Sequence, residues 1–302
     1  MMDIPEPVRL RAIAAGEAGL AWLGALPAMA ADLAERWRLT FGGTLAGGTE
    51  ALVLEAWLAD GRAAVLKLAP PEADPAAGER RTLLAADGRG YARVYRHDDA
   101  AGALLLERLG RQLAQTEWPL PEQLAVLCAT LLEAWTAPPP PDLMNGAEKA
   151  ISLAEFISVT WGELGRPCSG RVVETALAFA NERRLAFDPA KAVLAHGDAH
   201  AWNALQAQDG GFKFVDPDGL FIEPAYDLGI PMREWSGQLL SGDPRELGRQ
   251  RAAMLAELTG VAPAPIWQWG FIERVSTGLL CVKLGLDGGD EMLEVAEAWA
   301  AA

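Results

Sequence analysis

Apolar residues recur at spacings of three and four through Leu20, Leu23, Leu26, Met29, Leu33 and Trp37, the pattern of a helix with one buried stripe. Residues 17–37 are therefore expected as one or two amphipathic helices, bent or broken at Pro27, whose ring cannot donate to the helix ladder. The period then shortens. Leu39 to Leu45, Ala51 to Ala59 and Ala63 to Ala69 read as strands, punctuated by Gly42-Gly43, Gly47-Gly48 and Asp60-Gly61, the last pair being a strong hairpin signal. Asp74 is placed to cap a helix running to Ala86, with Pro75 at its first position. Tyr91 to Tyr95 and Ala103 to Leu106 complete the set. Residues 38–108 are expected as a five-stranded sheet with one inserted helix.

Beyond Gly110 the helical period dominates. Leu124, Leu127, Cys128, Leu131, Leu132 and Trp135 form one stripe, and residues 147–164 and 171–187 give two further helices. Pro138 to Pro141 make a stiff loop. Three short strand-like runs follow at Val193 to His196, Ala204 to Ala207 and Lys213 to Val215, after which helices restart where Asp243 can cap and Pro244 can open a turn. The pattern is α+β in two lobes: residues 1–108 β-rich behind a helical lead-in, a connection at about 107–110, and residues 111–302 mainly helical. A length of 302 residues with 51% hydrophobic content supplies cores for both.

Charge narrows the partners. With 26 basic and 41 acidic residues the net charge is −15, which argues against nucleic acid and anionic membrane surfaces. Residues 1–110 carry net −3 and residues 111–302 net −12. That field is either plain solubility or the surroundings of a cationic small molecule. Cys128, Cys168 and Cys281 lie far apart with no metal or redox spacing, as free thiols in a reducing compartment would. Arg9 and Arg11 precede an apolar stretch from Ala12 to Ala31, but Glu17 and Pro27 interrupt it and the amphipathic pattern continues through Asp32, Glu35 and Arg36. The expectation is a soluble, cytoplasmic protein.

The chemistry concentrates in LAHGDAHAWNALQAQDGGFKFVDPD, Leu194 to Asp218. His196, Gly197, Asp198 and Asn203 form an HGDxxxxN pattern between strand-like runs, and Asp216-Pro217-Asp218 ends the next run. Phosphoryl transfer through a loose transition state needs one carboxylate to orient the attacking hydroxyl, and oxygen ligands to hold Mg²⁺ on the phosphates. Asp198 suits the first task, Asn203 and Asp216 the second.

With these residues the chain resembles the aminoglycoside phosphotransferase family, of protein-kinase-like fold, and within it the streptomycin and hydroxyurea kinase group. WLGALPAMAADLAERW at 22–37, LLLERLG at 104–110 and EPAYDLG at 223–229 extend the likeness over nearly the whole chain. The resemblance implies ATP and Mg²⁺ as cofactors, Asp198 as catalytic carboxylate, Asn203 as a metal ligand or a brace for Asp198, and Asp216 as the bridge from metal to nucleotide. Lys67 in AAVLKL takes the β3-lysine place, and Glu79 lies 12 residues on, suited to hold it against the α- and β-phosphates. Glu107 and Leu109 match the hinge to adenine. Gly47, Gly48 and Thr49 belong to the phosphate-covering turn, although FGGTLAGGT departs from GxGxxG. Asp227 would brace the catalytic loop near His196.

Ten residues separate Asp216 from Tyr226, too few for an activation segment that docks a peptide, and Gly197 stands where an Arg would receive a loop phosphate. A protein substrate is not expected. His196 reads as a buried structural group and His200 as a brace of the loop, with His97 in a loop elsewhere. Trp202, beside Asn203, is placed to pack under the catalytic loop. Asp218 is either a turn residue before Gly219 or an extra acid near the metal. Glu234, Trp235, Trp267 and Glu273 lie where such kinases bind their acceptor, although core packing for the tryptophans and solvated helix faces for the acids explain them equally. The function expected is transfer of the γ-phosphoryl group to a hydroxyl of an aminoglycoside or aminocyclitol such as streptomycin. A metabolic or detoxifying kinase of hydroxyurea, an amino sugar or an amino alcohol is the alternative, and a nucleotide-binding pseudokinase or interaction protein the second.

Overall fold

The structure is a computed structural model describing residues 3–45, 51–70 and 75–301. The chain divides into two compact units, Met1–Gly110 and Arg111–Ala302.

In the first unit, α1 (Glu6–Ala14) and α2 (Gly16–Trp37) precede β1 (Thr40–Thr44), β2 (Leu52–Trp57), β3 (Ala63–Leu68), α3 (Pro75–Ala86), β4 (Val94–Asp98) and β5 (Ala103–Glu107). The strands form one antiparallel sheet in the order β1-β2-β3-β5-β4. Strand alternation sends Leu52 and Leu54 of β2 and Leu66 and Leu68 of β3 into one core with Trp22, Leu26, Ala30 and Leu33 of α2. Lys67 therefore points to the opposite face. Pro27 does not break α2, which continues from Gly16 to Trp37; burial of its apolar face on the sheet offsets the lost bond. The strand expected at Tyr91 to Tyr95 begins only at Val94, and His97 lies on it rather than in a loop. Asp74 falls outside the described residues.

The second unit holds α4 (Leu120–Ala134), β6 (Met144–Asn145), α5 (Gly146–Glu163), α6 (Gly170–Ala186), β7 (Val193–Ala195), β8 (Ala204–Gln206), β9 (Phe212–Phe214), β10 (Leu220–Ile222), α7 (Ala225–Arg233), α8 (Ser236–Leu240), α9 (Pro244–Thr259), α10 (Pro263–Leu284) and α11 (Gly289–Ala300). Asn145 and Glu148 form a capping box on α5, and Asp243 caps α9 through the Arg245 and Glu246 amides. β10 pairs parallel with β6 and antiparallel with β7, while β8 and β9 form a hairpin. α7 and α10 meet backbone to backbone: a Cβ on Gly229 would stand 2.9 Å from Gly270 N, and one on Gly270 2.4 Å from Met232 Cβ. Among the described residues no helix is long and apolar enough to cross a membrane.

Candidate active site

In the first unit the Lys67 ammonium donates to both carboxylate oxygens of Glu79, at 2.7 and 2.8 Å. Both side chains are largely buried, so the charges are held by geometry rather than dispersed in water. The Glu107 carboxylate accepts from the Arg93 amide at 2.8 Å, which leaves the backbone of residues 108 and 109 to continue out of β5, with Leu109 buried. Gly47, Gly48 and Thr49 lie outside the described residues.

In the second unit, β7 delivers a short loop whose conformation is tied down at nearly every residue. Asp227, fully buried at the start of α7, accepts from the His196 amide (3.0 Å), the Gly197 amide (2.9 Å) and Trp135 Nε1 (2.8 Å). Burial pushes its carboxyl up, and these donors with the His196 ring oppose the shift. His196 is also fully buried; its Nδ1 accepts from the Asp198 amide at 3.0 Å, so its Nε2 carries the proton donated to Val215 O at 2.9 Å. That bond fastens the Asp198 loop to the segment that leads from β9 to Asp216. Asn203 adds a second fastening: its Nδ2 donates to Asp198 O at 3.1 Å and its carbonyl accepts from the Val215 amide at 3.0 Å. Its Oδ1 is left as an oxygen donor, and Asp216 follows with its backbone turned to φ 55°.

The Asp198 carboxylate is bracketed. Oδ1 accepts from Arg233 Nη2 at 2.5 Å and Oδ2 lies 3.1 Å from His200 Nε2. Burial would raise its pKa, but the His200 hydrogen bond and the Arg233 charge outweigh burial and hold the carboxyl well below the usual range. Burial lowers and Asp198 raises the His200 imidazole, with a net rise. Arg233 also meets Glu234 Oε1 at 3.0 Å and Glu273 Oε2 at 3.3 Å, and Tyr226 donates to Glu273. Lys149 sits over the Tyr226 ring, 5.6 Å from its centroid. Asp218 stands against Gly197; desolvation, then the Asp198 charge, raises its carboxyl, while Lys149 opposes.

Several expectations change. Glu273 is not a solvated helix-face residue but 4% exposed and ion-paired, because the close α7–α10 approach faces it to Arg233. Trp235 stacks under Arg251, 5.8 Å from the ring centroid, one residue from Glu234. Trp267 packs on Trp299 with centroids 4.5 Å apart, near the start of α10, and the structure does not bring it to Asp198. Trp202 is 53% exposed rather than packed beneath the loop. Arg233, Lys149 and Trp135 carry no local motif; Arg233 lies four residues past EPAYDLG, and only its partners mark it.

Asn203 and Asp216 together present hard oxygen donors, which suit Mg²⁺ better than a soft metal. Among the described residues no group of three or more His, Cys, Asp or Glu side chains could hold a metal ion alone, and a Mg²⁺ ion ordinarily completes its shell with phosphates and water.

A two-unit α+β chain with this loop defines a phosphotransferase of protein-kinase-like fold. Choline kinase from Streptococcus pneumoniae superimposes with a TM-score of 0.59 at 13% identity, over 91% of this chain and 96% of that one. The chain belongs to the aminoglycoside/hydroxyurea antibiotic resistance kinase family, whose model matches residues 36–283. Streptomycin 6-kinase of Streptomyces glaucescens is 32% identical over 276 residues, 89% of this chain and 88% of that protein. Hydroxyurea phosphotransferase of Kitasatospora aureofaciens is 33% identical over 232 residues, 76% and 67% respectively. The protein is a small-molecule kinase of the antibiotic-resistance type.

Proposed function

We propose that the enzyme transfers the γ-phosphoryl group of ATP to a hydroxyl of a cationic aminocyclitol or aminoglycoside, with streptomycin the first compound to test. The observation that carries this reading is the Asp198 carboxylate, bracketed by Arg233 and His200 with Glu234, Glu273 and Asp218 around it. The streptomycin 6-kinase relatives support the acceptor class.

Each Asp198 oxygen retains a lone pair after its bond to Arg233 or His200, enough to accept an acceptor hydroxyl. Its depressed basicity suits orientation of that hydroxyl and late receipt of its proton, as a loose transition state requires little prior deprotonation. Lys67, held by Glu79, would pair with the α- and β-phosphates. Glu107 and Leu109 would border adenine, with Gly47, Gly48 and Thr49 near the phosphates. Asn203 Oδ1 and Asp216 would hold Mg²⁺, which when bound offsets phosphate charge. Asp227 and His196 keep the loop rigid, so the carboxylate is placed before the acceptor arrives. Glu234 and Trp235, at the edge of the acidic cluster, would meet the acceptor's cationic groups.

A panel of streptomycin, hydroxyurea, an amino alcohol and a neutral sugar, assayed for phosphate transfer from ATP, tests the reading. Transfer to streptomycin is expected, with Asp198→Ala lowering kcat by roughly 10²- to 10⁴-fold and leaving nucleotide affinity nearly unchanged. Transfer to hydroxyurea alone would favour the detoxifying kinase suggested by the relative from Kitasatospora aureofaciens. Near-normal turnover by Asp198→Ala would exclude the mechanism.

A further inference from the structure

Arg233 is the last residue of α7, and one guanidinium there touches three carboxylates: Asp198, Glu234 and Glu273. Its side chain is 11% exposed. A structural ion pair needs one partner; three carboxylates around one cation leave surplus negative charge beside Asp198, an arrangement that costs desolvation unless it serves another end.

The backbone beneath Arg233 is locked by two further buried arginines. Arg251 Nη1 donates to Pro231 O at 3.1 Å and Glu234 O at 2.7 Å, and its Nη2 donates to Gln238 Oε1 at 2.6 Å. Arg274 Nη2 donates to Met232 O at 2.7 Å and Glu234 O at 3.4 Å, and Nη1 to Ser236 Oγ at 2.8 Å. Among the described residues neither makes a salt bridge; both direct their donors to carbonyls and neutral side chains at the end of α7, where carbonyls are otherwise unpaired. Burial opposes both charges, lowering Arg251 to about 10 and Arg274 to about 9. The same turn holds Trp235 at φ 54°, a conformation that a bulky residue rarely adopts. Strain kept in place by buried charge is characteristic of a site whose geometry must not drift.

We propose that Arg233 is the positioning residue of the transfer reaction, acting through Asp198, and that Arg251 and Arg274 aim it by locking the turn at residues 231–236. Arg233 holds Oδ1 while His200 holds Oδ2, so the carboxylate cannot rotate and its remaining lone pairs face one direction. The planar fork also reaches Glu234 and Glu273, which a lysine's point charge could not do at once. This rests on the reading of Asp198 as the group that orients the acceptor hydroxyl.

The test is steady-state kinetics of Arg233→Ala, Arg233→Lys and Arg274→Met with the acceptor identified by the panel, alongside Mg·ATP affinity and thermal midpoints. Arg233→Ala should lose about 100-fold in kcat, the scale of one preorganised donor, without a rise in the KM of a cationic acceptor. Arg233→Lys should recover only part of that loss. Guanidinium ion, added far below denaturing concentration, should raise the turnover of Arg233→Ala but not of Asp198→Ala. Arg274→Met should lower kcat in the same sense, by less. Should Arg233→Ala not fold, Arg233→Gln carries the same comparison. The proposal is overturned if a folded Arg233 variant keeps wild-type kcat, or if its loss tracks a fallen thermal midpoint and guanidinium restores nothing. Retained turnover in Asp198→Ala would instead remove the underlying reading, whatever the Arg233 variants do.

Discussion

At Gly197 two requirements coincide. Its φ of 93° lies where L side chains are strained, and an added Cβ would stand 2.6 Å from Asp218 Cβ. The HGD triplet is therefore conformational as much as chemical: glycine lets the chain turn so that the His196 and Gly197 amides both reach Asp227 and Asp198 faces Arg233. Asp227 is the test of that reasoning. Asp227→Ala would leave three buried donors without an acceptor, at ~1–3 kcal/mol each. We expect a loss of roughly 3 kcal/mol or more in urea unfolding, with kcat depressed even at temperatures where the variant is folded. Asp198, Asn203 and Asp216 stand out in the sequence because they sit in one short, ordered run, and Asp227 because EPAYDLG matches the family pattern. The partners Trp135 of Asp227 and Arg233 of Asp198 were not visible there, because a hydrogen bond between Trp135 and Asp227 spans 92 positions and leaves no local pattern.

Helix α2 illustrates what periodicity predicts and where it stops. Of the stripe at three- and four-residue spacing, Leu26, Leu33 and Trp37 are buried and Leu23 and Met29 partly so, but Leu20 is 54% exposed, and Trp22 and Ala30 take places on the buried face instead. Pro27 does not break the helix, because packing on the sheet holds it together. The polar end of α2 is joined to β4 by Arg36, which meets Asp98 at 2.8 Å. The Arg36 hydrogen bond, then the Ala101 amide, lowers the Asp98 pKa. A carboxylate depressed in the folded state stabilises above its unfolded pKa of about 3.9, and loses that contribution as pH falls through the folded value. Asp98→Asn should therefore destabilise the protein at pH 7 and approach the wild type at pH 2 to 3, as measured by urea midpoints across pH; an equal cost at both ends would contradict the pairing. The shift of β4 from Tyr91 to Val94 has a similar origin, since the strand starts where β5 offers partners rather than where aromatic residues begin.

For the molecule as a whole, the net charge is −15, and −12 of it falls in residues 111–302. Part of that charge is accounted for by Asp198, Glu234 and Glu273, gathered around one arginine, and by Asp218 near Asp198. If this field draws in a cationic acceptor, kcat/KM should fall as ionic strength rises past the point where the screening length is about 10 Å, while a neutral acceptor should show no such dependence. Salt-insensitive kinetics with a cationic acceptor would assign the charge to solubility. The sequence by itself determined the five-stranded sheet with its inserted helix and the run from His196 to Asp216, though not α1, β6 or β10, because strand alternation, helix period, turn residues and a contiguous loop are all short-range properties. Only the tertiary structure decided that Glu273 is buried beside Arg233, that Trp267 packs on Trp299, and that Arg251 and Arg274 spend their charge on the carbonyls of one turn. Those facts depend on which helices approach closely enough to meet; for α7 and α10, Gly229 against Gly270 sets that distance.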